Sequence, residues 1–559
     1  MSDQTKPQIK TLTLEAQMGG WIPDLWGVPG AALQGQPNQY TLGPGISLLR
    51  KEKLGHIAPA EIFNVGGITD GSSFFNSLPR AIAVDVTQSP NNYWYILGGL
   101  GGTAPGVVKA SATGTTSRRD ITATSGNNFT TLPGTGFWGE DIIFYTGSQS
   151  SAATPGIFYS WNDSGNGAVG YYNINTASFV SDNFFSGSDG GSYFAGSGIN
   201  PVKGVPHRFC EGPNKILYMT NGQYVLSYDG NVAGNGNGTY TNKALNCGFG
   251  WICVDIVKYQ NFIAILCIKN GTSFNSFTAQ SECKVLLWDG TNAGANATPN
   301  FSYDVQDFYA TALFNSDFLY CFSQGRNNTT KIKYLPIAYG VSKFQTLYEN
   351  STTSIGNAPD PRSIALYNGN LVWWGTSPNT ASVLSCYIPG VGYHEPFFAD
   401  DGSVTSTTVG MLSNNQSNKL YIGMKAGTTY EVQYLDGTGG YEKNVSFRTG
   451  LIELPYKSTI RRINIYFSQF SSNASVVASL VRDYNSGASL PGGANDLLNY
   501  TITTTTKPEL VNALQTSIIQ TITDVSSFYL NFYFNHAAVS NTAAIIRKVE
   551  VEYELTAKP

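Results

Sequence analysis

Tyr228-Asp229-Gly230, Trp288-Asp289-Gly290 and Leu435-Asp436-Gly437 each close an apolar run. Asp-Gly ends a strand because Gly takes positive φ and the Asp side chain bonds the backbone two residues on. The first two triplets lie 60 residues apart and the second pair 147 apart, room for two further units of that length. A related hairpin, Leu366-Tyr367-Asn368-Gly369-Asn370-Leu371, places Asn-Gly as a tight turn between two strands. Outward from these triplets, short apolar strands recur between Gly/Asn/Asp/Ser clusters from 76 to 440: 81–84 with 93–97, 141–145 with 156–161, 215–220 with 224–228, 262–268 with 284–288, and so on through 430–435. No convincing amphipathic helix interrupts them. Three or four strands in each unit of roughly 40–70 residues, repeated six or seven times, predict an all-β fold built on an irregular six- or seven-bladed β-propeller. Such units cannot bury both faces alone; stacking them radially does so and shields their edges. Stacked β-sandwiches are the competing arrangement.

The flanks read differently. Residues 1–75 hold Gly19-Gly20-Trp21, Pro23, Pro29-Gly30, Pro37 and Pro44-Gly45 with no sustained period, which predicts an extended N-terminal arm pinned by Trp21, Trp26 and Leu48-Leu49. Residues 441–559 predict a C-terminal β-sandwich with one short helix. Its last strand, 545–555, alternates apolar and charged residues at period 2. The helix is expected over 507–522, where Pro508, Leu510, Leu514 and Ile518-Ile519 have helical spacing.

Composition bounds the function. Of 559 residues, 13% are charged and 41% apolar, with 61 Gly, 33 Tyr, 30 Phe and 9 Trp. The charged share is about half that of an ordinary soluble domain, yet the apolar share excludes wholesale disorder. A net charge of −4 argues against a nucleic-acid binder, since Arg118-Arg119 and Arg461-Arg462 are isolated pairs. Met1 to Lys10 is polar, so no secretory leader is expected. No window approaches the ~18 uninterrupted apolar residues of a membrane-spanning helix. The seven cysteines (210, 247, 253, 267, 283, 321 and 386) lack any Cys-x-x-Cys pair and read as buried free thiols of a protein made in a reducing cytoplasm.

Catalytic motifs are weak. His56, His207, His394 and His536 fall in no metal-ligand spacing. His394-Glu395 precedes Pro396 in an expected loop, and the Gly-Asn-Gly-Asn-Gly run at 234–238 has no helix behind it. Asp400-Asp401-Gly402-Ser403 misses the spacing of a calcium loop. Asp141, Asp255, Asp304 and Asp307 lie at strand edges and are the candidates for a glycosidase carboxylate pair, though solvated or turn-capping carboxylates account for them as well. Ser160-Trp161-Asn162-Asp163-Ser164-Gly165 matches a sialidase turn box only superficially. The aromatic clusters Tyr93-Trp94-Tyr95, Tyr171-Tyr172, Trp373-Trp374 and those between 528 and 534 would stack on sugars or form interfaces if exposed; alternation within strands predicts that about half of each is buried. On this reading no catalytic, cofactor or metal residue is assigned, and the chain is expected not to be an enzyme.

One resemblance covers the whole layout. The arm with Tyr40-Thr41-Leu42-Gly43-Pro44-Gly45-Ile46 and Arg50-Lys51-Glu52-Lys53-Leu54-Gly55, the irregular Tyr-Asp-Gly blades, and the closing Lys548-Val549-Glu550-Val551-Glu552-Tyr553-Glu554 follow one another in an order similar to that of β-propeller tail proteins of tailed bacteriophages. The tail hub or nozzle proteins of short-tailed phages resemble it most. That likeness is architectural and rests on no specific motif. It implies a structural virion component made in the host cytoplasm. Copies would form a ring, six by analogy, against adjacent tail or portal-adaptor proteins, with phage DNA passing without sequence-specific binding. The family supplies no catalytic residue, and this chain lacks the family's inserted α/β platform. The alternative, from the wealth of Tyr, Trp and Asn, is a glycan-binding or glycan-cleaving propeller acting as a receptor-binding or depolymerase protein. A bacterial surface β-protein is disfavoured by the polar start of the chain.

Overall fold

Phe262-Ile263-Ala264-Ile265-Leu266-Cys267-Ile268 is apolar at every position, although strands usually alternate. Its two faces meet two different cores. Ile263, Ile265 and Cys267 pack into one buried cluster with Tyr218, Val225, Leu245 and Trp288. Ala264, Leu266 and Ile268 pack into another with Val285, Leu313, Leu319 and Cys321. A strand covered on both sides needs no polar face, and this one lies in the middle of a stack of sheets.

The structure, a computed structural model, describes residues 9–14, 40–42, 46–47, 58–59, 78–85, 93–99, 107–111, 114–120, 138–147, 155–162, 167–175, 178–181, 201–230, 240–269, 282–294, 296–307, 309–324, 329–336, 343–351, 361–375, 383–388, 392–394, 408–413, 419–426, 429–435, 445–449, 451–470, 474–481, 496–503, 514–536 and 543–555. The chain divides into two compact units, one of 65–365 with 406–434 and the other of 1–64, 366–405 and 435–559.

The first unit is the propeller. Five antiparallel four-stranded sheets follow one another as blades. Blade 1 runs from Leu78–Asp85 to Gly114–Asp120, blade 2 from Trp138–Tyr145 to Ser178–Ser181, and blade 3 from Phe209–Glu211 to Tyr240–Asn246. Blade 4 runs from Trp251–Tyr259 to Phe301–Asp304 and blade 5 from Tyr309–Asn315 to Gln345–Ser351. The first strand of each blade packs against the first strand of the next. A three-stranded sheet beginning with Thr408–Ser413 sets that strand against Leu78–Asp85 of blade 1. The six or seven blades expected from the sequence are therefore not confirmed. Five four-stranded blades stack in series, the following sheet has three strands, and the sheet of Ile364–Tyr367, Asn370–Gly375, Val383–Ile388 and Gly392–His394 falls from Leu366 onward in the other unit.

Each junction between blades is an apolar cluster. Blades 1 and 2 share Ala81, Leu97, Val107, Ile142, Ile157 and Tyr159. Blades 2 and 3 share Tyr145, Phe158, Tyr171, Leu217, Met219 and Tyr228. Tyr171 and Tyr172 are both buried, one in each of these junctions, so the half-buried expectation fails for that pair because both faces of the strand are covered. The side chains of Tyr93, Trp94 and Tyr95 lie outside the described residues.

The turns follow the Asp-Gly chemistry. The Asp289 carboxylate accepts from Thr291 N at 2.9 Å and Thr291 Oγ1 at 2.6 Å, and Gly290 takes φ +77. Asn368 and Gly369 both have positive φ, as a type I′ hairpin requires. A different constraint fixes Gly170, which faces Tyr159 across the blade 2 ladder; a Cβ there would lie 2.1 Å from Tyr159 Cζ. Gly170→Ala is expected to cost about 2–3 kcal/mol by overpacking, read as a fall in the urea midpoint.

The second unit centres on one eight-stranded sheet ordered Ile9–Leu14, Ile545–Leu555, Ile452–Gln469, Gln515–His536, Val445–Thr449 and Tyr40–Leu42, with Ala474–Val481 and Asp496–Ile502 branching from Gln515–His536. Ile545–Leu555 alternates as read: Val549 and Val551 are buried, while Glu554 meets Arg461 Nε at 2.9 Å and Glu550 accepts from the Tyr466 hydroxyl at 2.7 Å. A C-terminal sandwich is not confirmed by this single connected sheet. The helix over 507–522 is corrected as well, since no helix occurs among the described residues and residues from Gln515 on form a 22-residue strand. Ile518, Ile522 and Val525 are buried at helix-like intervals because register shifts against Ile452–Gln469 break the two-residue alternation. Residues 507–513, Trp21, Trp26, Leu48-Leu49 and 234–238 lie outside the described residues.

Candidate functional site

The inner strands of the propeller carry one motif twice. Asp141-Ile142-Ile143-Phe144-Tyr145 opens blade 2 and Asp255-Ile256-Val257-Lys258-Tyr259 opens blade 4. In both, the buried carboxylate accepts from the next residue's N–H: Ile142 N to Asp141 Oδ1 at 2.9 Å, Ile256 N to Asp255 Oδ1 at 2.9 Å. Its other oxygen accepts from the first strand of the following blade: Phe209 N to Asp141 Oδ2 at 2.7 Å, Leu313 N to Asp255 Oδ2 at 2.7 Å. A bulge shifts the register beside each Asp, which turns the side chain along the sheet toward the next blade.

Asp141 also holds Arg362. Arg362 Nε donates to Asp141 Oδ1 at 2.7 Å, and Nη2 donates to Oδ2. The Asp141 side chain is 2% exposed, whereas that of Arg362 is 23% exposed and reaches solvent. The backbone around it is fixed by Leu412 N donating to Arg362 O at 2.7 Å. Two cavities share Arg362 in their walls. One, of about 340 Å³, is lined by Arg362 with Phe209, Ile256, Lys258, Asn315 and Glu211. The other, of about 250 Å³, is lined by Arg362 and Asp141 with Ile143, Phe209, Leu412 and Ser413. The mouth thus combines a fixed guanidinium, a rim lysine, an amide and apolar walls.

The Asp255 carboxyl is pushed up to about 6 by burial, against the opposing pull of Arg362 and its backbone donors. Behind the mouth, Glu140 and Arg208 form a buried pair with Oε2 and Nη2 3.5 Å apart, and Asn162 Nδ2 donates to Val205 O at 2.9 Å. His207 is fully buried, with Nε2 2.9 Å from Val202 O, and burial lowers its pKa to about 4.

Asp141 and Asp255 are thus brought to the inner strands, but the other two expected carboxylates are not. Asp304 Oδ1 caps a turn through Gln306 N at 2.9 Å. Asp307 is tied to Lys333 at 2.7 Å, Lys331 at 3.4 Å and Ser323 Oγ at 2.7 Å. His207 is a core residue. His56, Glu395, Asp400, Asp401 and 163–165 lie outside the described residues, as do the side chains of His394 and His536. Arg362 went unremarked in the sequence because it stands alone between Pro361 and Ser363, away from both Arg pairs. The repeat of Asp-Ile-aliphatic-x-Tyr is the signal that would have marked both clasp carboxylates.

No family model matches the chain, and no curated protein matches it. Among solved structures, one described as "Glycoside hydrolase" aligns over 86% of this chain and 99% of its own, with 10% identity and a TM-score of 0.24. "GH43 Endo-Arabinanase from Bacillus licheniformis" aligns over 50% of this chain and 97% of its own, with 13% identity and a TM-score of 0.24. The expectation that the chain is not an enzyme is corrected accordingly, since the structures it aligns with include hydrolases. At these scores the likeness assigns neither an activity nor a residue to this chain.

Proposed function

We propose that the mouth of the propeller binds a glycan. The observation that carries this reading is Arg362, locked by Asp141 into one orientation on a wall common to two cavities. A fixed guanidinium donates to sugar hydroxyls or a sugar carboxylate without losing rotamer freedom on binding. Asn315 adds an amide and Lys258 a cation to the same wall. A glycan array followed by calorimetry tests it. Arg362→Ala is expected to weaken binding at least tenfold, about 1.4 kcal/mol, and Lys258→Ala on the rim to weaken it less, with folding checked by circular dichroism. Failure of the wild-type chain to bind any glycan ends the proposal. Reducing-sugar release from bound polysaccharides is the measurement that separates cleavage from binding alone.

A second reading is a ring-forming component of a bacteriophage tail, contacting copies of itself and neighbouring tail or portal-adaptor proteins around passing DNA. Large apolar side chains that face solvent favour it: Phe249 is 95% exposed, Ile9 63% and Ile519 59%. Light scattering on the purified chain decides; a strict monomer sinks it.

A further inference from the structure

The junction between blades 3 and 4 holds three cysteines whose positions come from three separate elements. Cys247 follows the last strand of blade 3, in a turn set by Gly248 at φ +107 and by Trp251 N donating to Gly248 O at 3.2 Å. Cys253 lies on the first strand of blade 4, and Cys267 is its register partner on the second. Their backbones are anchored independently, Cys247 N to Gln223 O at 3.0 Å and Cys253 N to Gly222 O at 2.8 Å. The Sγ atom of Cys253 lies 3.2 Å from that of Cys247 and 4.0 Å from that of Cys267, and all three fall within 4.8 Å of one another. All are buried.

Thiols pack as small hydrophobes, which explains burial but not convergence. Cys210, Cys283 and Cys321 are equally buried and belong to no such cluster. A metal held by three sulfurs at about 2.3 Å needs sulfurs about 4 Å apart, and the observed triangle brackets that value. We propose that Cys247, Cys253 and Cys267 bind one Cu(I) ion as a trigonal trithiolate. Soft thiolates select Cu(I) or zinc. Structural zinc takes four ligands, and among the described residues no His, Asp or Glu joins this cluster. Three S–H protons pass to solvent, three Cu–S bonds form, and no atom changes oxidation state. The two net negative charges of the site are partly offset by Lys284, whose Nζ donates to Cys247 O at 2.9 Å and lies 4.0 Å from the centroid of the Trp251 ring.

The test uses the full chain, reduced and metal-free, titrated without oxygen with Cu(I) as its acetonitrile complex against a chromogenic Cu(I) chelator. One Cu(I) per chain is expected to leave the chelator, with a sulfur-to-copper absorption in the near ultraviolet and a raised unfolding temperature. Cys253→Ser is expected to abolish all three signals, and Cys321→Ser to keep them. Because Cys253→Ser changes a core residue, Lys284→Met serves as the second variant and is expected to weaken Cu(I) at least tenfold with all thiols present. The proposal is overturned if no Cu(I) leaves the chelator, if Cys253→Ser binds like wild type, if Zn(II) displaces Cu(I) at equal concentration, or if thiol counting shows a Cys247–Cys253 disulfide in the reduced preparation.

Discussion

Asp141→Ala is expected to lower the unfolding free energy by about 3–5 kcal/mol, the cost of stripping the partner from a largely buried charge. The carboxylate receives Ile142 N, Phe209 N and two nitrogens of Arg362. Alanine leaves the Phe209 N–H without the carboxylate that accepts it inside a junction, at about 1–3 kcal/mol, and takes from the Arg362 guanidinium the carboxylate it is hydrogen-bonded to. Partial exposure of Arg362 lets water recover some of this, which places the effect toward the lower end. The same cut at Asp304, whose carboxylate caps an exposed turn, is expected to cost within about 0.5 kcal/mol. Denaturant unfolding of both variants makes the comparison. A loss below about 1 kcal/mol at Asp141 would mean that the bond between blades 2 and 3 is carried by the apolar cluster around Phe158 and Tyr228 alone.

What the sequence conveyed depended on whether a feature was local. The Asp289-Gly290 and Asn368-Gly369 turns were legible because their chemistry lies within four residues. The all-β, propeller-like order was legible because it repeats. The blade count was not, since it depends on which sheets stack, and nothing in the run from Ile364 to Gly375 marks that from Leu366 on it clusters with the other unit. The expected helix failed at Ile518, Ile522 and Val525 for a related reason: bulges set by a partner strand some 60 residues upstream mimic helical spacing. Of the site, Asp141 and Asp255 stood out as strand-edge carboxylates. Arg362, which Asp141 holds, lies 221 residues from it, beyond the reach of any local pattern.

The two shifted groups in this region have opposite linkage to stability. His207 falls from an ordinary 6.5 to about 4 because burial opposes its charged form. The unfolded chain binds that proton more readily, so the stability present above about pH 6.5 is lost as pH falls toward 4. Asp255 rises from an ordinary 3.8 to about 6, again by burial. Here the folded chain binds the proton more readily, so stability is fullest below pH 3.8 and is lost as pH rises through 6. Each displacement amounts to about 3 kcal/mol, and between pH 4 and 6 the two contributions nearly cancel. Removing one exposes the other. His207→Gln can still offer a donor to Val202 O; relative to wild type it is expected to gain about 3 kcal/mol as pH falls from 6.5 to 4. Asp255→Asn carries a fixed penalty, because its amide must set an N–H against Ile256 N or Leu313 N. Relative to wild type it is expected to lose about 3 kcal/mol more across pH 6 to 4. Background titration of other carboxylates is common to all three proteins and drops out of the differences. Parallel curves of unfolding free energy against pH for wild type and either variant would mean that the group replaced in it does not titrate between its folded and unfolded values; curves that diverge in opposite directions identify the pair as a compensating couple.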